Sequence, residues 1–248
     1  MSRNFGGTDD LITCPVDDTY LKENGAVSAV IWVKATTLAN TLFRRTDGAS
    51  GNVAFLYAAT GRLRYFIGGA TGFERQTADS TAVAGRWQAI AITHDGSTTA
   101  ANCHIYLDLV EPSYGTTTNG NLPNNNSTAS LTIGNNAALT SDFSGKLAYL
   151  QIWNRVISFN EIVQATYYPG SISRSLRVFL LGGGSPEPDY SGNGNHGTVT
   201  GATVSTDNPP INGVFHPPRP NLYYSSFSSA VVTSATATIH RMMLMGAT

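Results

Sequence analysis

The stretch KLAYLQIWNRVISFNEIVQATYYPG, residues 146–170, contains the change of local structure that decides the fold. Its first part, Lys146 to Asn154, is rich in apolar and aromatic residues and predicts a strand. Ser158 and Glu161 follow in the spacing of a capping box, in which the hydroxyl and the carboxylate each bond a backbone N–H of the first helical turn. Pro169-Gly170 ends the helix. The sequence therefore predicts a strand that runs into one short connecting helix.

Nine further strands are predicted around this one. Each is a short run of alternating or continuous apolar character, bounded by clusters of Gly, Asn, Ser and Thr. They are Leu11 to Cys14, Val27 to Ala35, Thr41 to Arg45, Val53 to Ala58, Leu63 to Gly68, Trp87 to His94, His104 to Val110, Ser130 to Gly134, and Ser175 to Leu181. The composition agrees, because 29 Thr and 25 Gly stand against only 3 Lys and 5 Glu. We therefore predict an all-β fold.

The side chains of these strands divide into buried and exposed sets. Leu63, Tyr65 and Ile67 share one face of their strand while Arg64 points the other way, which predicts a half-buried strand. The tryptophans lie among apolar neighbours and are predicted to pack in the core; they are Trp32, Trp87 and Trp153. Tyr114, Tyr167 and Tyr168 fall in predicted loops and are candidates for contact with a glycan or a protein.

Charge and cysteine content exclude several classes of protein. Only 12% of the residues are charged and the formal net charge is -1, so no basic field exists for nucleic acid and no polybasic segment for a membrane. The segment from Met1 to Gly6 lacks the apolar core of a signal peptide, so we expect assembly in the cytoplasm. Cys14 and Cys103 are predicted to be buried free thiols rather than a disulfide.

The character of the chain changes near its C-terminus. We divide it into a domain over residues 1–204 and a tail over 205–248, which is rich first in Pro and then in Ser and Thr. Such a segment frays unless something holds it, and we expect it to anchor on another protein chain. The alternative is a β-hairpin that closes the domain's own sandwich. The candidate contact residues are Pro209, Pro210, Pro217, Pro218, Tyr223, Tyr224, Val231, Val232, Ile239 and Met242.

Several segments together resemble the laminin G-like, concanavalin A-like lectin/glucanase superfamily, in particular its stand-alone members in tailed-phage particles. They are Phe5 to Ile12, Val27 to Lys34, Gly85 to Ser97, Ile105 to Asp108, and Phe143 to Ser158. The resemblance spans residues 4 to about 204 and implies an antiparallel jelly-roll sandwich. One turn departs from the family pattern, because Asp108-Leu109 replaces the usual Asp-Gly, and a longer or bulged connection is expected there.

Catalysis has little support in the sequence. Glycoside hydrolysis needs two carboxylates on one sheet face, and the Glu-x-Asp-x-x-Glu strand of the superfamily's glucanases is missing here. Gly-x-Ser-x-Gly and His-Glu-x-x-His motifs are also missing. We therefore expect a protein that is not an enzyme and requires no cofactor.

Calcium is the metal ion that the resemblance implies, because laminin G-like and pentraxin-like domains bind it at loop carboxylates. Asp47 and Asp142 are the candidate ligands among the aspartates of predicted turns. The alternative is that each of these side chains only bonds the backbone of its own turn.

Two functions follow as expectations. The first is a structural decoration protein on the surface of a tailed-phage particle, assembled in the host cytoplasm as a homo-oligomer and held to the capsid or another virion protein by its tail. The second is a lectin-like module that binds cell-surface glycans, with or without calcium. Neither involves nucleic acid or a membrane.

Overall fold

A computed structural model describes residues 1–17, 20–22, 24–46, 52–68, 71–122, 129–180 and 182–211. Within them the chain forms fifteen strands and one α-helix, besides two short 3₁₀ turns. The elements are β1 (Ser2–Phe5), β2 (Leu11–Val16), β3 (Val27–Ala35), β4 (Asn40–Thr46), β5 (Asn52–Ala58), β6 (Arg62–Ile67), β7 (Phe73–Thr77), β8 (Gln88–His94), β9 (Cys103–Leu107), β10 (Tyr114–Thr118), β11 (Ser130–Ile133), β12 (Gly145–Trp153), α1 (Phe159–Tyr167), β13 (Leu176–Leu180), β14 (Thr198–Thr200) and β15 (Thr203–Ser205).

The strands form two antiparallel sheets that pack into a sandwich. The seven-stranded sheet has the order β15-β1-β12-β3-β8-β9, and β13 also pairs with β12. The eight-stranded sheet has the order β10-β7-β6-β5-β4-β11-β2-β14. Apolar side chains from both sheets share one core, as alternation along the strands requires. The predicted all-β jelly-roll sandwich is confirmed.

All ten predicted strands are present, with ends that differ by a few residues. Five further strands were not predicted, namely β1, β7, β10, β14 and β15. They are three to five residues long and mostly polar, as in the YGTTT of β10. Pairing with a neighbour, not hydrophobic periodicity, makes them strands.

The seven-stranded sheet is buried on its inner face and over much of its outer face. In β3, Ile31 and Val33 enter the core between the sheets, whereas Val30 and Trp32 enter a second cluster on the opposite face. Helix α1 covers that outer face, and the Trp32 indole N–H donates to the carbonyl oxygen of Thr166 at 3.0 Å. This burial confirms the core assignment of Trp32 and, likewise, of Trp153; Trp87 is only half-buried.

Helix α1 begins as the sequence predicts. The Ser158 hydroxyl accepts from the Glu161 backbone N–H at 3.3 Å, and the Glu161 carboxylate accepts from the Ser158 N–H at 2.8 Å. The capping box is therefore complete. No helix in the described ranges has the length and apolar character that crossing a bilayer demands.

The turn at Asp108-Leu109 corrects a prediction. Both residues have positive φ, 50° and 66°, and Leu107 and Val110 exchange backbone hydrogen bonds across them. Residues 107–110 therefore form a tight two-residue turn without the expected bulge, whereas the whole connection from β9 to β10 runs over residues 108–113. Leu109 adopts a backbone conformation that glycine would adopt more readily, and its side chain packs against the outer cluster of the seven-stranded sheet.

A buried ion pair ties the first strand to the loop that follows β13. The Arg3 guanidinium lies 2.6 Å from the Glu187 carboxylate, and both side chains are almost completely buried. The same carboxylate accepts from the backbone N–H groups of Gly182, Gly183 and Gly184 at 2.8 to 3.2 Å. The ion pair thereby holds together two residues, Arg3 and Glu187, that are separated by 184 positions in the sequence.

We predict that Glu187→Ala lowers the free energy of unfolding by about 3–5 kcal/mol, because it leaves a buried guanidinium without its counter-ion. Chemical denaturation followed by fluorescence measures the loss. Asp79→Ala is the matched control, since it removes the carboxylate of a solvent-exposed pair with Arg62, and its effect should be far smaller. Equal losses in the two variants would contradict the role assigned to Glu187.

Cys14 and Cys103 are free and buried, as predicted. Burial raises the pKa of both thiols, so neither carries the reactive thiolate at neutral pH. We expect iodoacetamide to modify neither cysteine in the native protein and both in guanidinium chloride, as intact mass spectrometry would measure. Alkylation at equal rates in the two conditions would contradict this burial.

Candidate ligand-binding face

The structure describes only one of the two candidate calcium ligands. Asp142 is half-buried, and its backbone carbonyl oxygen accepts from the Asn40 side-chain amide at 2.9 Å. Asp47 lies outside the described residues. Within the described ranges, no group of three or more His, Cys, Asp or Glu side chains is arranged to hold a metal ion. Calcium binding through Asp47 and Asp142 stays a prediction.

Other turn aspartates bond their own backbone. The Asp10 carboxylate accepts from the N–H groups of Gly6 and Gly7 at 2.6 and 2.8 Å. Asp95 likewise accepts from the N–H of Ser97 at 2.9 Å. These contacts are the turn-stabilising role that short acidic side chains commonly have.

The Asp189-to-Thr198 segment is also built from internal hydrogen bonds. One oxygen of Asp189 accepts from the N–H groups of Phe179 and Ser191, both at 2.9 Å. Its other oxygen accepts from the Ser191 hydroxyl at 2.7 Å and the Asn195 N–H at 2.9 Å. The carboxylate therefore holds the loop in shape.

The candidate tail contacts fall almost entirely outside the described residues. Pro209 is buried and Pro210 exposed, and Ile211 packs against the outer cluster of the seven-stranded sheet. The described part of the tail thus lies on its own domain. The remaining candidates lie outside the described ranges: Pro217, Pro218, Tyr223, Tyr224, Val231, Val232, Ile239 and Met242.

Tyr114 lies on β10 rather than in a loop, and its contacts occupy it. Its hydroxyl donates to Glu111 at 2.6 Å and accepts from the Ile105 N–H at 2.9 Å. The Arg75 guanidinium lies over the ring, 3.3 Å from its centroid. This ring therefore supports the structure, whereas Tyr168 at the end of α1 is exposed.

The outer face of the eight-stranded sheet differs from the rest of the fold, since its outward side chains are mostly polar. Cross-strand register aligns them in two rows. The first row runs Thr198, Thr13, Thr132, Arg44, Ala54, Phe66, Glu74 and Thr118. The second includes Arg64, Gln76 and Thr116. We call Thr13, Arg44, Arg64, Phe66, Glu74, Gln76 and Thr132 the polar face.

The centre of the polar face is an ordered group of planar side chains. Arg64 lies 2.7 Å from the Glu74 carboxylate, and its guanidinium carbon is 4.6 Å from the centroid of the Phe66 ring. Gln76, the cross-strand partner of Arg64, donates to the Thr116 hydroxyl at 3.4 Å. Arg64 and Glu74 remain 30% and 20% exposed, so a ligand on the surface can reach them.

Arg44 extends the positive charge of this face across the sheet. It stands opposite Thr132 on one side and Ala54 on the other. Partial burial lowers the pKa of its guanidinium, which nevertheless stays protonated at neutral pH. The sequence predicted that Arg64 points outward, but it could not show which residues on other strands lie beside it.

The four described glutamate carboxylates are all engaged. Glu74 bonds Arg64, Glu111 bonds His104 and Tyr114, Glu161 bonds Arg155, and Glu187 bonds Arg3. Hydrogen bonds from Arg155 and Ser158 lower the pKa of Glu161 to about 2 despite partial burial. Glu23 lies outside the described residues.

Comparisons with known proteins agree with this architecture. A laminin G-like family model described as the Concanavalin A-like lectin/glucanases superfamily matches residues 5–163. Comparison with curated proteins found no match. A "putative carbohydrate binding protein" from Bacteroides ovatus ATCC 8483 is similar in structure, with a TM-score of 0.57 and 16% identity. The alignment covers 87% of this chain but only 61% of that one, which is less than two thirds of its length.

Two further solved structures are more distantly similar. Domain 4 of AbnA, a GH43 extracellular arabinanase from Geobacillus stearothermophilus in complex with arabinotriose, has a TM-score of 0.47 and 18% identity, over 67% of this chain and 87% of that one. The IT-sialidase CBM40 of Ruminococcus gnavus, bound to α2,3 sialyllactose, has a TM-score of 0.48 and 10% identity, over 67% and 98%. At these identities the likeness concerns the fold alone.

Proposed function

The chain belongs to the concanavalin A-like lectin/glucanase superfamily, and from this premise we propose that it is a carbohydrate-binding module that holds a glycan on the polar face. The observation that carries the proposal is the ordered group formed by Arg64, Glu74 and Gln76 beside Phe66. The Bacteroides ovatus protein of similar fold, described as a "putative carbohydrate binding protein", supports the same class of function.

The chemistry of the polar face suits sugar hydroxyls. A hydroxyl both donates and accepts, and a guanidinium beside a carboxylate offers donors and acceptors in one plane. The Phe66 ring adds apolar surface next to these groups, which a sugar's C–H face can contact. Threonine hydroxyls extend the polar surface across neighbouring strands, as at Thr13 and Thr198.

The strands make this arrangement rigid before any ligand binds. Each side chain stands on a paired strand, and the Arg64–Glu74 contact fixes both groups. A site on paired strands loses less conformational freedom on binding than a site on loops. The arrangement therefore favours recognition of an extended glycan that lies across the strands.

Binding without catalysis is part of the proposal. The described glutamates bond cations, hydroxyl groups or backbone N–H groups, which supports structural and binding roles over proton transfer. Retention of a polysaccharide without release of reducing sugars would support this part, and measurable turnover by the purified protein would overturn it.

The glycan-binding proposal is tested with Glu74→Gln, which keeps the shape of the side chain and removes its charge. We expect affinity for a polysaccharide to fall about tenfold, since a hydrogen bond to a charged group is lost. Native gels that contain xylan, arabinan, β-glucan or mannan measure retention, and calorimetry with an oligosaccharide of the retained polymer measures affinity.

Arg86→Ala is the control, because Arg86 is an exposed arginine in the turn before β8 of the other sheet. It should bind like the wild type. Wild-type affinity in Glu74→Gln and also in Arg64→Ala would place the site elsewhere. Failure of the wild type to bind any polymer of the panel would overturn the proposed function.

The virion-anchor hypothesis rests on the composition of the tail, residues 205–248, and stays a prediction. Deletion of residues 209–248 is expected to abolish incorporation into a particle and to leave glycan binding intact. Full incorporation of the truncated protein would remove this hypothesis without affecting the proposed sugar site.

A further inference from the structure

Two of the three lysines of the chain stand side by side on the seven-stranded sheet. Lys34 of β3 and Lys146 of β12 are direct cross-strand partners, so both side chains lie on the same face. Like charges in this position repel each other. In a chain with only 12% charged residues, the pair makes a local concentration of positive charge.

One carboxylate, from the segment that follows β15, lies between the two ammonium groups. An oxygen of Asp207 accepts from the Lys34 Nζ at 2.8 Å and from the Lys146 Nζ at 2.6 Å. Its other oxygen accepts from the Trp87 indole N–H at 2.9 Å. The hydrogen bonds from Lys146, Lys34 and Trp87 hold the pKa of Asp207 well below its usual range.

Asp207 balances only part of the positive charge of Lys34 and Lys146 and bonds only some of their N–H donors. Two ammonium groups carry two positive charges and six N–H donors, of which Asp207 neutralises one charge and takes one donor from each lysine. Lys34 and Lys146 remain 31% and 26% exposed. Within the described ranges no other group bonds their remaining N–H donors, which can therefore bond a second anionic group.

The two lysines line a groove of about 310 Å³, within the size range of small-ligand sites. The lining of this groove also includes Asn4, Thr36, Gly85 and Gly145. We call it the lysine groove. A Cβ atom at Gly145 would lie 2.4 Å from the carbonyl oxygen of Lys34, so only glycine fits there.

We propose that the lysine groove binds the anionic group of an acidic glycan, a carboxylate or a sulfate, and that Asp207 is a built-in competitor for the same donors. The ammonium groups recognise the charge, and Trp87 offers its half-buried ring beside them. The groove lies on the seven-stranded sheet, so this site is separate from the polar face and does not depend on the proposed function.

The sign of one substitution distinguishes this proposal from a purely structural role of Asp207. Asp207→Asn keeps the shape and one of the two accepting oxygens but removes the competing charge, so affinity for an anionic polymer should rise about threefold. Lys146→Gln should weaken binding. The probes are polygalacturonate for carboxylates and dextran sulfate for sulfates, with uncharged dextran as the reference, each measured at low and high salt.

Matched variants control for net charge. Asp79→Asn makes the same change in charge at an exposed pair elsewhere, and Lys22→Gln removes the third lysine. Tighter binding of either anionic probe by Asp207→Asn than by Asp79→Asn, lost at high salt, supports the proposal. The probe that responds identifies the anionic group.

Equal affinities of Asp207→Asn and Asp79→Asn would overturn the proposal, and so would equal affinities of Lys146→Gln and Lys22→Gln. Equal binding of dextran would also overturn it. The Glu74→Gln substitution distinguishes the two sites. In a protein that carries it, Asp207→Asn should still raise the affinity for the anionic probe by the same factor. Failure of the polar face as a sugar site would therefore not be mistaken for failure of the lysine groove.

Discussion

The extent to which each face of a sheet is buried is the physical constraint that sets where apolar and polar side chains can lie in the two sheets. In the seven-stranded sheet, the core between the sheets buries one face of β3, and α1 with its neighbouring loops buries much of the other. In the eight-stranded sheet, β6 is buried only at alternate positions. Apolar side chains are stabilised by burial away from water. The strands of the seven-stranded sheet therefore have nearly continuous apolar sequences, whereas those of the eight-stranded sheet alternate between apolar and polar residues. Polar groups that can meet a ligand consequently collect on the outer face of the second sheet.

The few charges of the chain serve different purposes according to their burial. Arg3 and Glu187 are withdrawn from water, so each needs the other and their contact holds distant parts of the chain together. Arg64 and Glu74 keep partial contact with solvent and can exchange bonds with a ligand. The Lys34–Lys146–Asp207 cluster lies between these cases, since it is bonded internally but retains a positive charge. The same ionic chemistry thus gives structure in one place and potential binding in another.

Local sequence patterns predicted the elements whose cause is local. The Ser158–Glu161 capping box appears in α1, and the alternation around Arg64 appears in β6. Short polar strands such as β10 and β14 were missed because their neighbours, rather than their own periodicity, order them. The tight turn at Asp108-Leu109 was missed because a leucine with positive φ costs free energy that only packing elsewhere can offset.

The sequence by itself determined the all-β class, the capped helix α1, the two buried thiols and the outward direction of Arg64, because each depends on residues close together in the chain or on composition. Only the tertiary structure decided which side chains meet across strands. Glu74 lies ten residues from Arg64, Lys146 lies far along the chain from Lys34, and Asp207 comes from the segment after β15. Those side-chain contacts depend on strand order and register. Long-range strand pairing sets both, and no local sequence pattern encodes them.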